Sequence, residues 1–131
     1  MKDHLGRSIE YLRLSLTERC TLMCTYCRKA EGHCPKAQEL SAKEFARIAR
    51  VMAEIGVNKI RLTGGEPMLR RGVMERASSH PELLFPIFTN GTMIEDGYLK
   101  LFQKNRNLLP LLSIEGGEEE TDNRNRKVDR I

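Results

Sequence analysis

A chain of 131 residues, 40% hydrophobic and 31% charged, is long enough for one domain with its own core and reads as soluble and globular. With 22 Lys and Arg against 18 Asp and Glu, the net charge of +4 attracts phosphate groups only weakly and gives no reason to expect a nucleic-acid partner. No apolar run approaches membrane-spanning length and no signal-peptide pattern opens the chain, so no membrane partner is expected and the cytoplasm is the expected compartment.

Taken in order, Met1 to Ser8 are polar and read as an arm or an incoming loop. From Tyr11 to Leu16 the sequence alternates, with Leu12, Leu14 and Leu16 on one face and Tyr11, Arg13 and Ser15 on the other, which predicts the first strand. A cysteine-rich loop follows at its C-terminal end. Ser41-Ala42-Lys43-Glu44 has the form of a capping box. Phe45, Ile48, Ala49, Met52 and Ile55 then recur at helical spacing until Gly56 supplies a stop. Val57 to Leu62 is the second predicted strand, with Ile60 and Leu62 opposite Lys59 and Arg61, and Thr63-Gly64-Gly65-Glu66-Pro67 terminates it. A short helix over Val73 to Ser79 precedes His80-Pro81. Leu83 to Thr89 is a third strand closed by Asn90-Gly91, weakened by Pro86, which cannot donate to a ladder. Ile94, Tyr98, Leu101 and Phe102 mark a helix despite Gly97, and Leu108 to Ile114 is the fourth strand, with Pro110 near its beginning. From Glu118 to Arg130 the sequence is almost entirely charged and offers no apolar face, as a frayed tail or the stub of a helix would. The organisation expected is a core over 1–117 and a charged tail over 118–131.

Strands alternating with helices imply right-handed crossovers and a parallel sheet, so the fold class is α/β. A closed (βα)8 barrel needs roughly 200 residues or more, so about four βα units here predict a partial, incomplete barrel. Its open edges ask for a cover, which a second copy in a homo-oligomer would provide.

The chemistry is concentrated in Cys20-Thr21-Leu22-Met23-Cys24-Thr25-Tyr26-Cys27. Three thiolates at this spacing can wrap one face of an iron-sulfur cluster and leave one iron open, whereas a closed structural zinc site wants a fourth ligand. Cys34 or His33 could supply that fourth ligand, so zinc stays open as a minor reading. In a parallel βα array the loops after the strand ends share one rim where ligands bind. The cysteine loop, Gly64-Gly65-Glu66, Thr89-Asn90-Gly91 and Ser113 all fall there. Gly64 and Gly65 let a ligand approach the backbone, and strand parity sets Arg13 and Arg61 opposite the leucine-rich faces.

The spacing C-x3-C-x2-C, with Tyr26 just before the third cysteine, resembles the cluster loop of the radical S-adenosylmethionine (SAM) superfamily. Gly6-Arg7, Tyr11-Leu12-Arg13-Leu14-Ser15-Leu16-Thr17-Glu18-Arg19-Cys20 and Lys59-Ile60-Arg61-Leu62-Thr63-Gly64-Gly65-Glu66-Pro67 look like the GTP 3',8-cyclase family of molybdenum cofactor biosynthesis, with the match strongest over residues 6–71. The resemblance implies a 4Fe-4S cluster on Cys20, Cys24 and Cys27, with SAM chelated to the open iron. It places the SAM-binding residues at Tyr26, Gly64, Gly65, Glu66 and Ser113, and GTP contacts at Arg13, Arg61 and Thr89. The implied activity is that of a lyase: an electron from a reducing donor cleaves SAM to a 5'-deoxyadenosyl radical, which abstracts hydrogen from the GTP ribose. The family's second, purine-binding cysteine triplet has no counterpart here, so the chain reads as a fragment or as a joining of two related sequences near Gly72. From Phe85 onward it looks more like radical SAM proteins that modify peptides or cofactors. A non-catalytic iron-sulfur or zinc-binding module is the reading outside the enzyme class.

Overall fold

The computed structural model describes residues 1–27 and 38–123. Four strands, β1 (Tyr11–Ser15), β2 (Lys59–Thr63), β3 (Phe85–Thr89) and β4 (Leu108–Leu112), form one parallel sheet in sequential order. Helices α1 (Ala42–Glu54), α2 (Arg71–Ser78) and α3 (Asp96–Lys104) link them, and a 3-10 turn at Pro67–Leu69 precedes α2. The expected α/β partial barrel is therefore present, unclosed, with β1 and β4 at its edges among the described residues. The charged segment begins as a short helix, α4 (Glu118–Asn123), whose first turn carries Glu118, Glu119 and Glu120, the favourable sign for a helix N-terminus.

α1 starts where its capping box predicts. The Ser41 hydroxyl accepts from the Glu44 amide, and the Glu44 carboxylate accepts from the Ser41 amide at 2.7 Å. Parity along the strands sends Leu12, Leu14, Ile60, Leu62, Phe85, Ile87 and Leu108 toward the helices, where they pack with Phe45, Ala49, Val73, Met74, Ala77 and Tyr98. Phe45 and Phe85, both fully buried, meet at a ring-centroid distance of 6.0 Å. The opposite face carries Tyr11, Arg13 and Ser15 of β1, Lys59 and Arg61 of β2, Phe88 of β3, and Leu109 and Leu111 of β4.

The two prolines leave different marks. Phe85 donates to Asn107 and Thr89 accepts from Ser113, so the odd-numbered residues of β3 bond β4 and the even-numbered ones bond β2, as Leu84 does through Asn58 and Ile60. Pro86 thus faces β2 without a donor, and the β2–β3 register within the strands is reduced to Leu62 opposite Ile87. Pro110 falls out of phase with Asn107 and Ser113, so its missing N–H lies on the open edge of β4, where a proline is tolerated and blunts unwanted strand pairing.

An ionic clamp holds the chain that leaves β1. Glu39 accepts a forked pair from Arg19, Nε to Oε1 and Nη2 to Oε2, both at 2.9 Å, and a further hydrogen bond from the Thr17 hydroxyl. Arg70 lies 3.3 Å from the same carboxylate and donates to the carbonyls of Leu16, at 2.9 Å, and of Leu40. The Arg19 guanidinium, then the Thr17 hydroxyl, hold the Glu39 carboxyl down to about 2, well below the usual carboxylate range.

Replacing Phe45 by Ala is expected to cost about 3–5 kcal/mol in denaturant unfolding, whereas Val51→Ala on the exposed face of α1 is expected to cost about 0.5 kcal/mol or less. Because the folded-state pKa of Glu39 is depressed, its contribution is present above about 4.5 and is lost as the pH falls toward about 2. Glu39→Gln is therefore expected to lower stability at pH 7 by about 1.5–3 kcal/mol, and the gap to the wild type is expected to close as chemical denaturation is repeated at falling pH through that window.

Candidate cofactor-binding rim

The loop leaving β1 is laid directly onto the loop leaving β2. Leu16 donates to the Thr63 carbonyl at 2.9 Å, Gly65 to that of Thr17 at 2.7 Å, and Glu66 to that of Arg19 at 2.8 Å. Gly64 sits at φ +135°, and a β-carbon there would overlap the Thr17 carbonyl oxygen; one at Gly65 would lie 2.6 Å from the Arg19 carbonyl carbon. The close approach these glycines allow is, in this structure, that of the backbone of residues 17–19.

Glu66 is fully buried, and its carboxylate is satisfied by three donors: the Met68 amide at 3.0 Å and the Thr89 hydroxyl at 2.8 Å on Oε1, and the Asn90 amide at 2.9 Å on Oε2. It thereby ties the end of β2 to the end of β3. Thr89 is itself 1% exposed and shares the helix-facing side with Phe85 and Ile87, so the structure separates it from Arg13 and Arg61.

The cysteine loop then reaches across the remaining strand ends. Asn90 Nδ2 donates to Thr21 Oγ1 at 3.0 Å and approaches Cys20 Sγ at 3.6 Å, while Thr21 Oγ1 and Thr92 Oγ1 lie 2.6 Å apart. Beyond β4, Glu115 accepts from the Tyr26 hydroxyl at 2.8 Å, which holds that phenol's pKa well above the usual tyrosine range. Ser113, exposed at the end of β4, donates its amide to the Thr89 carbonyl at 2.9 Å. The loop that carries Cys20, Cys24 and Cys27 is thus fastened in turn to the ends of β2, β3 and β4.

None of these three cysteines is joined in a disulfide. Cys24 is buried and the other two are exposed, and Cys27 closes a turn by donating to the Cys24 carbonyl at 3.1 Å. Among the described residues no three Cys, His, Asp or Glu side chains converge on a single-ion position. A polynuclear cluster, in which each thiolate takes its own iron, asks for no such point, and three thiols on one loop fit its donor set. His33 and Cys34 lie outside the described residues. So does the zinc reading that depends on them.

On the open face Arg13 stands opposite Arg61 in the β1–β2 register. The Arg61 guanidinium lies over Phe88 at 4.1 Å and near Tyr11 at 5.6 Å from the ring centroids, and its Nε is buried with no hydrogen-bond partner among the described residues. Arg13 is exposed beside it. Sequence reasoning missed the clamp of Glu39 with Arg19 and Arg70, the Tyr26–Glu115 contact and the donor role of Asn90. Only Asn90 carried a signal, as half of the Asn-Gly pair that closes β3.

The radical SAM superfamily model matches residues 14–130. A probable GTP 3',8-cyclase of Methanopyrus kandleri is 44% identical over 99 residues, covering 73% of this chain and 31% of that protein. Molybdenum cofactor biosynthesis protein 1 of Drosophila melanogaster is 48% identical over 100 residues, 72% of this chain and 18% of its own. The chain thus spans less than a third of the length of these curated relatives. Among solved structures, SuiB of Streptococcus suis bound to S-adenosylmethionine superposes with a TM-score of 0.67 at 23% identity, over 81% of this chain and 23% of that one. BtrN in complex with AdoMet and 2-DOIA gives 0.66 at 14% identity, over 85% and 48%. At that identity the two structures speak to the fold alone. No helix among the described residues is long and apolar enough to cross a membrane. With the family model covering residues 14–130, most of its length, the chain belongs to the radical SAM superfamily.

Proposed function

We propose that this chain carries the cofactor-binding part of a radical SAM enzyme that acts on GTP in the manner of the GTP 3',8-cyclases. Cys20, Cys24 and Cys27 hold a 4Fe-4S cluster, and the rim on which Tyr26 and Ser113 stand, supported from beneath by Gly64, Gly65 and Glu66, receives S-adenosylmethionine. When bound, the cluster supplies the electron that cleaves S-adenosylmethionine to a 5'-deoxyadenosyl radical. The observation that carries this reading is the fastening of a three-thiol loop across the ends of β2, β3 and β4.

The protein's own part is positional. Gly64 and Gly65 let the backbone before Cys20 lie flush against the β2 loop, which fixes where the first thiol stands. Glu66 acts from beneath the rim, holding the amide of Asn90 and the hydroxyl of Thr89. The exposure of Cys20 and Cys27 gives a soluble reductant a short approach. Arg61 offers the triphosphate a guanidinium already ordered by Phe88 and a buried Nε–H with its hydrogen-bonding capacity unspent, and Arg13 adds a second cation opposite it.

One observation favours a second reading. Thr89 stands on the core side, so only two of the three expected GTP contacts share the open face, and a radical SAM protein acting on a peptide or another cofactor would need neither arginine for a triphosphate.

Anaerobic reconstitution followed by dithionite and S-adenosylmethionine is expected to yield 5'-deoxyadenosine, and Cys24→Ala is expected to abolish it together with most of the bound iron. No product from a wild-type chain that has bound its iron would contradict the reading. Arg61→Ala is expected to weaken GTP binding by equilibrium dialysis about 10- to 100-fold, the loss of charge-assisted hydrogen bonds, while leaving S-adenosylmethionine cleavage without GTP unchanged. Equal GTP binding by wild type and variant would remove GTP from the proposal.

A further inference from the structure

We propose that Asn90 is a positioning residue for the cluster: its carboxamide donates an N–H···S hydrogen bond to the sulfur of Cys20 and raises the potential at which the cluster accepts its electron. The inference rests on the cluster reading above and deepens it.

The side chain has one orientation that its surroundings accept. Asn90 Oδ1 takes two donors from Thr92, the amide at 3.0 Å and the hydroxyl at 2.8 Å, the self-contained turn that asparagine forms with the residue two positions on. A flipped amide would set its NH2 against the Thr92 N–H. With Oδ1 so committed, Nδ2 lies on the other side, 3.0 Å from Thr21 Oγ1 and 3.6 Å from Cys20 Sγ, and has one N–H for each. The backbone beneath is equally fixed, because the Asn90 amide donates to the buried carboxylate of Glu66. A hydrogen-bond donor is thus held against one thiol by a side chain on a different strand end, 70 residues away in sequence. The local amide of Leu22 also donates to that sulfur, at 3.5 Å.

Reduction adds one electron from an external donor, breaks no bond at Cys20 and increases the negative charge on the cluster and its thiolate sulfurs. A donor aimed at one of those sulfurs therefore stabilises the reduced state more than the oxidised state. The Glu66–Asn90–Cys20 chain also gives the buried glutamate a route to the metal site that needs no direct contact with it.

The test is a redox titration of the anaerobically reconstituted chain, followed by the electron paramagnetic resonance signal of the reduced cluster. Asn90→Ala, at wild-type iron content, is expected to reduce with an equilibrium constant about tenfold smaller, a midpoint about 59 mV more negative for one electron. Asn90→Asp keeps the acceptor for Thr92 but turns a carboxylate oxygen toward the sulfur, and its midpoint is expected to fall further. Thr92→Val, which removes one donor to the carboxamide oxygen and leaves Asn90 itself unchanged, is expected to shift in the same direction by less, and it decides the question if the Asn90 variants fail to bind iron. Midpoints that coincide with the wild type among the iron-bound variants overturn the inference and leave the cluster reading intact. A wild-type chain that binds no cluster overturns both.

Discussion

The carbonyls of Thr17 and Arg19 are received by the amides of Gly65 and Glu66, and these two backbone hydrogen bonds decide where Cys20 can stand. They form only because two consecutive residues after β2 lack a β-carbon, so that one loop lies on another without side chains between them. The clamp of Glu39 with Arg19, Thr17 and Arg70 secures the same stretch from its other side. Between these two attachments the chain leaving β1 is directed over the sheet end and not away from it.

The remaining contacts of the rim depend on that direction. Once the loop lies over the strand ends, Thr21 comes within reach of Asn90 and Thr92, and Tyr26 within reach of Glu115. Each contact is modest and partly exposed, worth about 1 kcal/mol or less in isolation. Their effect lies in number and placement, since the ends of β3 and β4 add to the attachment already made at the end of β2. Glu66 works by the same logic from below, as a buried acceptor whose three donors come from two different loops. A carboxylate in that position is costly unless each donor arrives, so it also reports that the ends of β2 and β3 are correctly seated.

How far the sequence showed this depends on the range of the interaction involved. The start of α1 was legible because a capping box is complete within four residues, and the face that Arg13 and Arg61 occupy was legible because strand parity is local. The strands came out shorter than their apolar runs: Val57 and Leu83 are buried yet lie outside β2 and β3, since burial does not require ladder pairing. Pro86 argued against a strand and lies in one nonetheless, because β4 pairing compensates on the side where no donor is missing. The Glu39–Arg19 pair was not legible at all, since 20 residues separate its members and no periodicity marks either. The motif Gly64-Gly65-Glu66 drew attention to the right place, but the residues of this chain that fill its hollow became visible only in the fold. Thr89 shows the same limit from the other direction: its place in the motif was clear, and the face it points to was not.

Three thiols on one fastened loop suit an iron-sulfur cube, in which each thiolate takes its own iron, and not a single ion. Mössbauer spectroscopy of 57Fe-reconstituted protein, recorded before and after addition of S-adenosylmethionine, separates the two. The expected spectrum is that of a 4Fe-4S cluster in which one iron site changes when S-adenosylmethionine is added. A protein that takes up one zinc and no iron, or a cluster spectrum that S-adenosylmethionine leaves unaltered, would contradict it.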